Sequence, residues 1–131
     1  MSILSGKKPS YLGHKDGQLS SCPNSPNCVS SQALGKANIS PIAFKGDANQ
    51  AWQALTTVVQ AYKGASMTEG NEQYMHFECR TPLLGFVDDV EFYLDGENKA
   101  IHVRSASRLG YSDLGKNRQR VEQLRASFNK R

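Results

Sequence analysis

Asp88, Asp89, Glu91, His102, Arg104, Arg108, Asp113 and Arg118 all fall within the stretch from Gly85 to Arg118. Two chemistries are open to such a set. Arg104, Arg108 and Arg118 can present forks of donors to a carboxylate or phosphate, with Asp88, Asp89 and Asp113 orienting them. Alternatively, Asp89 or Glu91 could exchange protons with His102, the acid and base of a small hydrolase. Asp88-Asp89-x-Glu91 superficially suggests a carboxylate metal site. Adjacent strand residues face opposite ways, so Asp88 and Asp89 should not share an ion. No P-loop, G-x-G-x-x-G, HExxH or G-x-S-x-G occurs. Neither a metal nor a cofactor is expected.

A second constellation is Cys22-Pro-Asn-Ser-Pro-Asn-Cys28. A zinc site needs about four ligands, and no nearby Cys-His pair completes one. Two free thiols, a short disulfide and a gathered metal site all remain open for this rigid, proline-bearing turn. The third cysteine, Cys79, gives an odd count, which does not describe a disulfide framework.

The elements that would position these residues follow from hydrophobic period. Gln73–Arg80, Val87–Leu94 and Ala100–Arg108 alternate apolar and polar as strands do, with a further strand around Met67. Short turns make them antiparallel neighbours. Met75, Phe77 and Cys79 share a face, as do Val90, Phe92 and Leu94, and Ile101 and Val103. Pairing Leu94 with Ile101 sets Tyr93 opposite His102, Phe92 opposite Val103 and Glu91 opposite Arg104. Apolar then meets apolar and acid meets base, which fixes the register. The other face, with Tyr74, His76, Glu78, Arg80, Asp89, Glu91, Arg104 and Arg108, is expected to be a wet surface laced with ion pairs.

Asp88, Ser105 and Ser107 point toward the core in this register. A buried carboxylate requires a partner. Asn117, Arg118 and the turn Tyr111-Ser112-Asp113 are near enough in sequence to supply one. A polar network from Asp88 through Ser107 to the start of the last helix is therefore expected. It would either lock that helix or line a small cleft.

Two helices complete the pattern. Asp47 caps the first, with Ala48, Trp52, Leu55, Val59 and Tyr62 on one face and Gly64 as its stop. Ser112 or Asp113 caps the second, with Leu114, Val121, Leu124 and Phe128 as its stripe. Residues 1–38 have no period and form an irregular leader holding the CPNSPNC turn; residues 39–131 form a single α+β domain. In the connection Pro82-Leu83-Leu84-Gly85-Phe86, apolar side chains either pack under the sheet edge or meet a partner.

The chain has 131 residues, 38% of them hydrophobic, and a net charge of +4. That suffices for one domain with a modest core. Positive charge gathers in KNRQRVEQLRASFNKR, which admits nucleic-acid binding through a basic helix. A solvated helix face is the simpler account, so nucleic acid is not the expected partner. No run is long and apolar enough to span a membrane, and no signal peptide is evident. A cytoplasmic location follows as the default.

CPNSPNCVSSQA, GFVDDVEFYLD, IHVRSASRLGYSDLGKNR and RVEQLR together resemble the domain of unknown function 1499 family across roughly Leu19 to Leu124. The short form with an SGKKP-like leader is similar to cyanobacterial members. The resemblance implies no activity. It directs attention to Cys22–Cys28 with Ser30 and Ser31, to Phe86, Asp88, Asp89, Glu91 and Phe92, and to Arg104, Ser105, Ser107, Arg108, Gly110, Asp113, Gly115, Asn117 and Arg118. It also implies that many members carry signal, lipoprotein or membrane segments, which this chain does not display.

The expectation is thus an α+β two-layer sandwich: an antiparallel sheet of four or five strands with two helices on one face. Its function would be non-catalytic, as a binding or accessory domain for a small polar or anionic ligand or a protein partner. The ligand-binding candidates are Asp88, Asp89, Glu91, Arg104, Ser105, Ser107, Arg108, Asp113, Asn117 and Arg118.

Overall fold

The computed structural model describes residues 6–82, 84–110 and 112–131. Four short strands come first: β1 (His14–Lys15), β2 (Gln18–Leu19), β3 (Cys28–Ser30) and β4 (Ile42–Ala43). Helix α1 (Ala48–Gln60) leads into β5 (Ala65–Gly70), β6 (Tyr74–Arg80), β7 (Val87–Asp95) and β8 (Ala100–Ser107), and α2 (Lys116–Asn129) closes the chain. β1 and β2 form a separate hairpin. The main sheet has six strands, in the order β3-β8-β7-β6-β5, with β4 also pairing β8; every pairing is antiparallel. The protein is an α+β sandwich.

The expected register holds. Leu94 pairs with Ile101, Tyr93 with His102, Phe92 with Val103 and Glu91 with Arg104. Met75, Phe77, Cys79, Val90, Phe92, Leu94, Ile101 and Val103 line one core with Leu55 and Val59 of α1 and Val121, Leu124 and Phe128 of α2. Asp47 caps α1 through its Oδ2, which accepts the Gln50 N–H at 2.9 Å. After α1 the chain turns at Gly64, at φ +90°, where a Cβ would stand 2.4 Å from the Arg80 carbonyl oxygen. Only glycine fits that turn. β5, at the end of the sheet, is largely exposed and interrupted by a bulge between Met67 and Glu69.

Three expectations are corrected. The polar face of the sheet is not wet: Tyr74, His76, Asp89, Glu91 and Arg104 are each at most 3% exposed. The leader, expected to be irregular, lies over this face as the β1–β2 hairpin and then enters the sheet as β3. The His14 ring sits 5.7 Å from Tyr74 and 4.6 Å from Tyr93. Gly17 runs so close to Tyr93 that a Cβ would meet its ring at 2.9 Å. Backbone groups of the leader answer the charges beneath, so burial leaves most of them hydrogen-bonded. Finally, Leu114 is not part of the α2 stripe. It is 90% exposed, before the helix, and the buried face comprises Asn117, Arg120, Val121, Leu124 and Phe128.

Candidate functional site

The inward carboxylate of Asp88 has a partner, and it is Arg120. Arg120 Nη2 donates to Asp88 Oδ2 at 2.6 Å, with both side chains buried. Arg120 Nη1 donates to Asn117 Oδ1 at 2.8 Å and Ser105 Oγ at 3.3 Å, and Ser105 Oγ donates to Asn117 Oδ1 at 2.6 Å. The Asn117 amide nitrogen donates to Ser107 Oγ at 3.0 Å, Asp113 Oδ2 at 2.6 Å and the Asn27 carbonyl at 3.2 Å. Asp113 also accepts backbone N–H groups of Gly115 and Asn117. It thus serves the first turn of α2 from outside the helix, whose N-cap is Gly115. Asn27 carries the network into the Cys22–Cys28 turn, since its amide donates to the Gly110 carbonyl at 2.7 Å.

Arg118, expected in this network, lies outside it. Its Nη1 and Nη2 donate to the carbonyls of Asn38 and Lys36. Arg118 and Arg120 are two positions apart, which turns them about 200° apart around a helix. Arg118 therefore leaves on the opposite side from the sheet. The Tyr111 side of the expected turn, like Leu83, lies outside the described residues.

At the outer end of the network is a cleft of about 220 Å³. Asp88, Ser107 and Asp113 line it with Thr81, while Phe86, Leu109 and Leu114 form its apolar rim. Leu84, Leu109 and Leu114 are exposed by 58%, 41% and 90%. Among the described residues no histidine or cysteine lines this cleft.

A second network lies on the face beneath the leader. Arg108 grips Asp89 through Nε and Nη2, both at 2.9 Å, and Glu78 through Nη2 at 2.6 Å. His76 Nε2 meets Asp89 Oδ1 at 2.7 Å, and His76 Nδ1 meets the Thr68 hydroxyl. Thr68 is the residue set free by the β5 bulge. Burial alone would raise the Asp89 carboxyl, but the hydrogen bonds from His76 and Arg108 outweigh it and hold the group below the usual carboxylate range. The bond to Asp89, helped by Glu78, keeps the Arg108 guanidinium charged more firmly than usual. Glu91 Oε2 accepts from the Gly13 N–H at 2.7 Å and the Tyr74 hydroxyl at 2.5 Å. Burial, and then this bond to Glu91, push the Tyr74 phenol well above its normal range. Burial also raises the Cys79 thiol to about 11, so Cys79 is an inert core residue.

The expected partnership of His102 with Asp89 or Glu91 does not form. His102 Nδ1 lies 3.1 Å from Ser31 Oγ, and its Nε2 lies 3.6 Å from Asp95 Oδ2. The ring turns diagonally toward Asp95, away from Glu91, whose Oε2 is already held by Gly13 and Tyr74. Arg104 does face Glu91 but at 3.7 Å. Its Nε and Nη2 donate instead to the carbonyls of Ser20 and Ser21, at 2.8 and 3.3 Å. Cys22 and Cys28 are joined as a disulfide. Among the described residues no cluster of three or more His, Cys, Asp or Glu could hold a metal ion. No described helix is long and apolar enough to cross a membrane.

Arg120 is the participant that sequence reasoning missed. A signal for it existed: three residues after Asn117 and four before Leu124, it falls on the buried stripe of α2.

The family model described as a protein of unknown function (DUF1499) matches residues 18–128. No curated protein and no solved structure matches the chain.

Proposed function

The chain belongs to the DUF1499 family, whose description names no activity, and we propose from its geometry that it is a non-catalytic binding domain. The site is the cleft at the outer end of β7 and β8, and its ligand is a small polar molecule with an apolar part. One observation carries this reading: a buried hydrogen-bonded network, in which only Arg120 Nε among the described residues lacks a partner, delivers Asp88, Ser107 and Asp113 together to the floor of a cleft rimmed by leucines. A rigid polar floor under an apolar mouth is the usual make-up of a small-molecule pocket. The volume of about 220 Å³ suits a fragment-sized ligand or a single side chain of a protein partner.

Nucleic-acid binding draws little support. Arg118 and Arg125 of α2 spend their donors on backbone carbonyls of residues 36–41, and Arg120 is buried on Asp88. The disulfide favours an oxidising compartment over the cytoplasm expected from the leader.

Native mass spectrometry of protein from its own host tests the reading. A small-molecule mass lost on denaturation, and lost in a Ser107→Val variant that keeps its melting temperature, is the expected result. If neither a retained mass nor fragment-induced amide shifts at Asp88, Ser107 and Asp113 in NMR can be found, the cleft is not a binding site.

A further inference from the structure

A larger cleft, of about 810 Å³, opens between the leader and the sheet, remote in composition from the one just described. Its wall carries Ser10, Tyr11, His14, Lys15 and Ser21, and Arg104 closes it on the sheet side. Arg104 is 1% exposed. Its Nε and Nη2 are fixed by the Ser20 and Ser21 carbonyls, whereas Nη1 has no hydrogen-bond partner among the described residues. Glu91 fills that role only as a long ion pair, and its Oε1 likewise has no hydrogen-bond partner among the described residues. Its Oε1 stands 3.7 Å from Nη1, and its Oε2 is committed to Gly13 and Tyr74. A buried guanidinium nitrogen left without a hydrogen bond is costly to a protein that has no use for it.

We infer that this cleft receives a small oxyanion, a carboxylate or phosphate group, with Arg104 as its inner donor. The surroundings fit that chemistry. Lys15 and His14, both exposed, add cationic or donor groups at the mouth, and the serines add hydroxyls. The Tyr11 ring lies over the Arg104 guanidinium, 5.0 Å from its carbon, and covers the cation without consuming a donor. The ligand engages Arg104 by a short shift of the half-exposed Tyr11, whose side chain is 49% exposed. The Glu91 carboxylate behind Arg104 limits the attraction, so the anion is held by directed hydrogen bonds more than by net charge.

The test is titration of the full-length, oxidised protein with inorganic phosphate and, separately, with succinate at low ionic strength, followed by amide NMR and calorimetry. Saturable binding is expected, with shifts at Tyr11, Lys15, Ser21 and Arg104 but not at Ser107 or Asp113. Lys15→Ala, on the surface and without risk to folding, should weaken it roughly five- to tenfold. Arg104→Gln should abolish it, and Lys63→Ala, outside the cleft, should change nothing. Should Arg104→Gln fail to fold, Lys15→Ala and Tyr11→Ala decide the matter. Non-saturable shifts, or saturable binding unaffected by Lys15→Ala and Tyr11→Ala, would overturn the inference. Preference for phosphate or for succinate separates the two sources of the oxyanion.

Discussion

Asp88 of β7 and Arg120 of α2, 32 residues apart in sequence, meet at 2.6 Å as a buried ion pair on the helix-facing side of the sheet. The pair ties the last helix to a strand otherwise filled with apolar side chains on that face. Removing one partner leaves the other charged and buried, which is far worse than losing a surface pair.

Arg120→Ala should therefore destabilise the fold by about 3–5 kcal/mol, whereas Arg118→Ala, on the solvent side, should cost no more than ~1 kcal/mol. Urea denaturation of both variants checks the contrast. Equal losses would mean that Arg120 is not the partner of Asp88.

The pH dependence of stability should be set in part by Asp89. Its folded carboxyl titrates below the unfolded value of about 3.9. As pH falls, the unfolded chain takes up that proton first. The contribution of Asp89 is thus complete above the unfolded value and is lost as pH drops through the folded one. Urea midpoints measured from neutral pH into the acid range should fall more steeply for the wild type than for Asp89→Asn. The variant itself should be less stable at neutral pH, because it weakens the grip of Arg108 and His76.

Reducing the Cys22–Cys28 disulfide opens a loop with a sequence separation of 6. Loop-closure entropy assigns such a crosslink ~2–3 kcal/mol. The melting temperature should fall with reductant in the wild type and be insensitive to it in Cys22→Ser. The intact mass of protein from its own host should lie two hydrogens below the fully reduced value.

Gly17→Ala probes the seat of the leader. The residue sits at φ +84°, and its Cβ would meet the Tyr93 ring at 2.9 Å. A loss of ~1–3 kcal/mol is expected from the strained backbone and displaced hairpin. Faster amide exchange at Gly13 and Tyr93 should accompany it, since the hairpin would lift from the sheet.

The hairpin register was legible because a period of two leaves one sensible pairing, and Glu91 opposite Arg104 confirmed the choice of face. The network from Asp88 to Asn117 was legible for the same reason: once the register is known, an inward acid demands an answer. Arg120 escaped notice because it stands among Lys116, Arg118 and Arg125, where a basic residue passes for solvated surface. The leader's role was not legible at all. It meets the polar face through the Gly13 N–H and the carbonyls of Ser20 and Ser21, and backbone groups leave no trace in a pattern of side chains. A face rich in Asp, Glu and Arg consequently looked like one made for water.

The bulged strand β5 has a consequence for how the molecule behaves in a crowded solution. It is the free rim of the sheet, where unpaired amides and carbonyls could recruit the matching rim of another copy. The break in register between Met67 and Glu69 twists that rim out of line, and the Glu69 carboxylate repels its own image. The same irregularity that turns Thr68 toward His76 thus discourages stacking of one protein molecule on the next.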